Sequence, residues 1–121
     1  MNPVEYVENV LRSESPKFSN PNPRLLHSIM GCCTESGELM DILKKYIYYG
    51  KKIDKLALIE EVGDVLWYLG IMVDELGVSF EEVMRLNICK LKKRYPEKFE
   101  SDRALNRDLD SERIELERGE N

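Results

Sequence analysis

Residues 58–76, LIEEVGDVLWYLGIMVDEL, set apolar side chains at Leu58, Val62, Val65, Leu69, Met72 and Leu76, in steps of three and four that follow the turn of an α-helix. Asp54 stands upstream as a cap and Gly77 downstream as a stop, so the stretch reads as one long helix. Two carboxylates sit inside its first half. With Glu61 as zero at about 100° per residue, Val65 falls at about 40°, Tyr68 at about 340°, Met72 at about 20° and Asp64 at about 300°. The pair therefore shares a face with apolar groups.

The preceding stretch repeats the arrangement. A helix is expected from near Pro23 to about Tyr49, ended by Gly50 with Lys51 and Lys52. From Glu35, Ile42 lies at about 340°, Tyr46 at about 20° and Glu38 at about 300°. If the two helices pack antiparallel through the short Gly50–Lys55 connection, the pairs Glu35/Glu38 and Glu61/Asp64 meet near the middle of a bundle. Gly31, one turn before Glu35, and Gly63, inside the second pair, weaken the helix and imply close helix approach or room for a ligand.

Such a placement is costly without a cation. A spacing of three leaves two carboxylates roughly 5 Å apart on one face, where they repel each other. Two pairs offer oxygen and neither sulfur nor imidazole, the ligand set of Mg²⁺ with Mn²⁺ as a substitute. A di-iron bundle would use two Glu-x-x-His motifs, and the chain has one histidine.

The rest of the chain is also helical in period, so the expected fold is all-α: a helical bundle on a long antiparallel hairpin, completed by oligomerisation. Pro3 to Leu11 form a short amphipathic helix, followed by a loop or arm carrying Pro16, Asn20, Pro21 and Pro23. Ser79 and Glu82 have capping-box spacing for a fourth helix running to about Arg94, with Pro96 beyond. Residues 1–100 read as one all-α domain. Residues 101–121 read as a polar tail, with a short helix around Ser111 to Arg118 and little apolar surface to hold it.

Composition limits the partners. With 121 residues, 42% hydrophobic and 34% charged, the chain builds one core. A net charge of -5 argues against general affinity for nucleic acid polymers or anionic membranes. Three cysteines without metal spacing, and a start with no leader-like run, suggest the cytoplasm. No stretch approaches the roughly 20 apolar residues of a membrane span. Leu39, Leu43, Ile47, Leu66, Val73, Val83 and Leu86 cannot all face one small core, so a homodimer is expected first and a homotetramer second.

Four segments together resemble the MazG-like all-α nucleoside triphosphate pyrophosphohydrolases: Glu35-Ser36-Gly37-Glu38, Asp41-Ile42-Leu43-Lys44-Lys45, residues 60–68 (EEVGDVLWY) and residues 90–96 (KLKKRYP). The resemblance covers roughly residues 24 to 110. It implies hydrolysis of a nucleoside triphosphate to monophosphate and pyrophosphate, with Mg²⁺ held by Glu35, Glu38, Glu61 and Asp64. Glu35 or Glu38 is then the acceptor of the water's proton. Thr34 departs from the pattern, because many members carry a further glutamate there.

Basic residues are the candidates for substrate binding. Asn87, Lys90 and Arg94 share one face of the fourth helix at offsets of zero, three and seven, and the resemblance adds Lys93. Lys45, at about 280° on the Glu35 wheel, reaches a phosphate or pairs with Glu38. Trp67 and Tyr68 are read as core or dimer contacts before base contacts, and His27 as packed or solvent-facing before catalytic. Cys32, Cys33 and Cys89 are read as small buried hydrophobes. The resemblance also allows Asn106-Arg107-Asp108 to fold over the substrate. The non-enzymatic alternative is a helical interaction module whose acidic face binds divalent cations unselectively.

Overall fold

The computed structural model describes residues 1–16 and 23–119, and among these every regular element is an α-helix. The order is α1 (Pro3–Ser13), α2 (Pro23–Tyr49), α3 (Lys55–Glu75), α4 (Phe80–Arg94), α5 (Ser101–Leu105) and α6 (Leu109–Arg118). No helix among the described residues is long and apolar enough to cross a membrane. The loop expected around Asn20 and Pro21 lies outside the described residues. The chain forms two compact units, Met1–Val78 and Ser79–Asn121.

In the first unit the helix ends follow local chemistry. Asn2 caps α1 reciprocally: its side chain accepts from the Glu5 N–H at 2.9 Å, and the Glu5 carboxylate accepts from the Asn2 N–H at 3.0 Å. Gly50, at φ 65°, ends α2 in the left-handed conformation, where the Lys51 N–H returns to the Lys45 carbonyl at 3.1 Å. Asp54 caps α3 by accepting from Leu56 N–H at 2.9 Å.

The hairpin is antiparallel, because partners on α3 descend in number as α2 ascends. Arg24 meets Asp74 at 2.6 Å and Glu75 at 2.9 Å. His27 stands edge-on to Tyr68 with ring centroids 5.4 Å apart, and Glu35 reaches Glu61 and Asp64. At Gly31 a Cβ would stand 2.2 Å from the Tyr68 ring. Only a glycine admits that ring so near the α2 backbone.

Helix α1 packs on α3. Val10 is buried against Gly70, whose Cβ would lie 3.0 Å from the valine, and Trp67 Nε1 donates to Ser13 Oγ at 2.8 Å. Glu14, just past α1, accepts from Arg24 Nε at 2.9 Å, which ties α1 to the start of α2. Among the described residues buried hydrophobic side chains are few, Val10, Ile71, Val73 and Cys89, while Ser28, also buried, donates to the Leu25 carbonyl at 2.8 Å. Cys32 is half-buried and Cys33 exposed, so only Cys89 of the three is the buried hydrophobe expected. Cys33 lies two residues from Gly31, about 200° around α2 from the face turned to α3.

In the second unit α4 starts on Ser79, whose hydroxyl accepts from Glu82 N–H at 3.1 Å. Glu81 and Glu82 occupy its first turn and Lys92, Lys93 and Arg94 its last, both favourable to the helix dipole. The segment after residue 100 holds two helices, and α6 packs on α4. Charge holds it, in place of the apolar surface that its sequence largely lacks. The Glu112 carboxylate is only 3% exposed and accepts from Arg94 at 2.7 and 3.0 Å and from Arg107 at 2.5 and 3.3 Å. Asp108 caps α6 through the N–H and hydroxyl of Ser111, and Arg85 donates to the Gly119 carbonyl at the other end.

Candidate metal centre

The antiparallel register brings Glu35 of α2 to Glu61 and Asp64 of α3. One carboxylate oxygen from each lies within 4.8 Å of the other two. Two oxygens on one octahedral Mg²⁺ are at most ~4.2 Å apart, so the cluster has nearly the dimensions of a single-ion site. Glu61 Oε2 is buried and has no hydrogen-bond partner among the described residues. An unsatisfied buried oxygen is a standing cost that a cation would remove.

Electrostatics point the same way. Burial, and then the negative charges of Glu35, Asp64, Glu38 and Glu60, push the Glu61 carboxyl above the ordinary glutamate range. All-oxygen donors and mutual repulsion fit a hard divalent cation, and the donor set contains no thiolate or imidazole.

Glu38 is placed differently from its three companions. It is exposed, as Asp64 is, but its oxygens are not part of the three-carboxylate cluster, and its charge acts on Glu61 and on Lys45. Lys45 pairs with Asp41 at 2.6 Å, a partner one helical turn back that the sequence reading did not weigh. That pairing raises the lysine and lowers the aspartate. Thr34 Oγ1 donates to the Gly31 carbonyl at 3.1 Å and so is turned back on its own helix.

Two aromatic residues beside the centre have structural partners. Trp67 bonds to Ser13 and stands edge-on to Tyr68 at 5.0 Å, while Tyr68 covers Gly31. A third, Tyr6 of α1, went unremarked in the sequence because it counted only as an apolar member of an amphipathic helix. Its hydroxyl makes a long hydrogen bond of 3.5 Å to the Gly63 carbonyl. Burial first, and then the Asp64 charge, push its phenol up.

Apart from Lys45, the substrate-binding candidates belong to the second unit. A cavity of about 490 Å³ is lined by Lys92, Lys93, Arg94 and Arg103, with Asn106 and Ser111 among its polar groups and Asp108 and Glu112 as its acids. Lys93 and Arg94 are among the substrate-binding candidates of the sequence; Lys92, Arg103 and Glu112 are not. Arg94 is committed to Glu112, which holds its guanidinium in place. Asn87 and Lys90 lie elsewhere on α4 and do not line this cavity. One signal for Glu112 was present in the sequence: Leu116, four residues on, shares its helix face.

The fold is thus a pair of long antiparallel helices on which three carboxylates converge. The MazG nucleotide pyrophosphohydrolase domain model matches residues 26–99, more than half of the chain, and the chain belongs to that family. It is also similar to the uncharacterized protein YvdC of Bacillus subtilis (strain 168), with 37% identity over 70 residues. That match covers 50% of this chain and 66% of the relative, just under two thirds of its length. No solved structure matches.

Proposed function

We propose that this protein is a nucleoside triphosphate pyrophosphohydrolase, cleaving a ribo- or deoxyribonucleoside triphosphate to monophosphate and pyrophosphate. The observation that carries the reading is the convergence of Glu35, Glu61 and Asp64 around a buried, unpartnered Glu61 oxygen. These three residues would hold Mg²⁺, or Mn²⁺ in its place. When bound, the cation supplies charge neutralisation of the polyphosphate and a more acidic water.

The side chains then divide the work. Glu38, exposed beside the cluster and outside it, is assigned as acceptor of the proton from the water that attacks the α-phosphorus. A new P–O bond forms from water, the Pα–O–Pβ bond breaks, and pyrophosphate leaves with the bridging oxygen. Lys93 is proposed as a substrate contact, as membership of the family suggests. Arg94 contributes by fixing Glu112 and the cavity wall. Asn87, Lys90 and Lys45 remain substrate contacts by proposal.

Assembly belongs to the same reading. Met40, Leu43 and Ile47 on α2, and Ile59, Val62 and Leu66 on α3, form two stripes at offsets of zero, three and seven, and all six are exposed. A second copy of the hairpin is the proposed cover, giving a homodimer or a tetramer of two such pairs. The biological role proposed is removal of unwanted nucleotides from the pool.

The test is pyrophosphate release from a panel of nucleoside triphosphates with Mg²⁺, Mn²⁺ or chelator. The expected result is metal-dependent turnover that Glu38→Gln reduces by at least about a hundredfold. No turnover on any member of the panel, alongside unselective cation binding, would favour an interaction module.

A further inference from the structure

Helix α1 lies wholly before residue 26, where the family match begins, yet it reaches the metal centre. Its position is set by contacts that do not involve the carboxylates: the Asn2 capping box, Val10 against Gly70, Ser13 with Trp67, and Glu14 with Arg24. Together these deliver the Tyr6 hydroxyl to the Gly63 carbonyl.

Gly63 is a weak point in α3. Glycine is the poorest helix former after proline, and this one has no atom within 4 Å of where a Cβ would be, so no packing compensates. It immediately precedes Asp64, a member of the carboxylate cluster. A carbonyl has two lone pairs, and the one left after its helical bond can take a hydroxyl. We propose that Tyr6 is a positioning residue of the metal centre, its hydroxyl tethering the Gly63 carbonyl and fixing the turn that carries Asp64. The inference rests on the metal reading of the cluster given above.

The test is calorimetric Mn²⁺ binding, with thermal unfolding alongside, for the whole chain unaltered, Tyr6→Phe, Val10→Ala, Gly63→Ala, and Tyr6→Phe with Gly63→Ala. Tyr6→Phe keeps the ring and the fold; its unfolding temperature stays within a few degrees while Mn²⁺ affinity falls about tenfold, the scale of an outer-shell loss. Val10→Ala lowers the unfolding temperature and leaves the affinity of the folded protein unchanged. Adding Gly63→Ala to Tyr6→Phe restores most of the affinity, because the methyl stiffens the turn and meets nothing. Unchanged Mn²⁺ binding in Tyr6→Phe overturns the tether, and so does a loss that Gly63→Ala fails to restore. If the unaltered chain shows no saturable Mn²⁺ binding, the metal reading fails and the tether fails with it.

Discussion

Gly31 and Gly37 lie on the same helix and should respond oppositely to alanine. An exposed Gly→Ala change in a helix interior gains ~1 kcal/mol from propensity alone. At Gly37 a Cβ meets nothing within 4 Å, so the whole gain should appear. At Gly31 the same Cβ stands 2.2 Å from two Tyr68 ring carbons. Ordinary carbon contacts begin at roughly 3.5 Å, so more than 1 Å of overlap must be relieved. The ring cannot simply swing away, because His27 and Trp67 stand edge-on against it and Trp67 is bonded to Ser13. Overpacking of this kind costs ~1–3 kcal/mol. The propensity gain cancels between the two variants, so Gly31→Ala should be less stable than Gly37→Ala by ~1–3 kcal/mol, on the order of 4–12 °C in unfolding temperature. Glu35 lies one turn from Gly31, so forcing α2 and α3 apart should also weaken Mn²⁺ binding. Denaturant unfolding and calorimetry of both variants make the comparison. Equal stabilisation of both, with unchanged metal affinity, would refute the close packing on which the carboxylate geometry depends.

Three further outcomes follow from the same structure. Glu61→Gln should raise the metal-free unfolding temperature at neutral pH and abolish Mn²⁺ binding, since it removes a self-repelling charge and a donor together; a lowered unfolding temperature would contradict the repulsion. Because burial and the neighbouring charges raise the Glu61 carboxyl, its protonated form favours the folded state, and that contribution is lost as pH rises from 4.5 through the raised value. Glu112 behaves in the opposite sense: Arg94 and then Arg107 hold its carboxyl at about 2, so its contribution is complete above 4.5 and is lost as pH falls towards 2. Amide protection factors along residues 109–118, taken against the unfolded-chain rate at each pH, should therefore fall in acid, and Glu112→Gln should show low protection already at neutral pH; protection unchanged in both would remove the charge anchor. Leu43→Glu, on an exposed apolar stripe of α2, should lower the mass seen in sedimentation from oligomer to monomer while retaining helicity, and an unaltered mass would place the interface elsewhere.

The hairpin was readable because its information is local. Helical steps in apolar residues, Asp54 and Ser79 as caps and Gly50 and Gly77 as stops define α2, α3 and α4 within a residue or two. The wheel positions of Glu35, Glu61 and Asp64 put them on facing sides, and the antiparallel register completes the cluster. What the sequence does not reveal is the partner a long charged side chain selects. Lys45 has Glu38 and Asp41 both within reach on one helix, and only rotamers and neighbours decide for Asp41. Residues 101–118 read as a solvated tail because an apolar count misses a buried carboxylate held by two arginines distant in sequence. Tyr6 was invisible for a related reason: its hydroxyl partner is a backbone carbonyl on another helix, and no pattern in α1 encodes that.

The central claim is tested most directly by following one nucleoside triphosphate with Mg²⁺ in oxygen-18-labelled water, the products read by phosphorus NMR. The account predicts nucleoside monophosphate and pyrophosphate in equal amounts, with the label on the monophosphate and no reaction in chelator. Label on pyrophosphate, or diphosphate and orthophosphate as products, would contradict attack at the α-phosphorus.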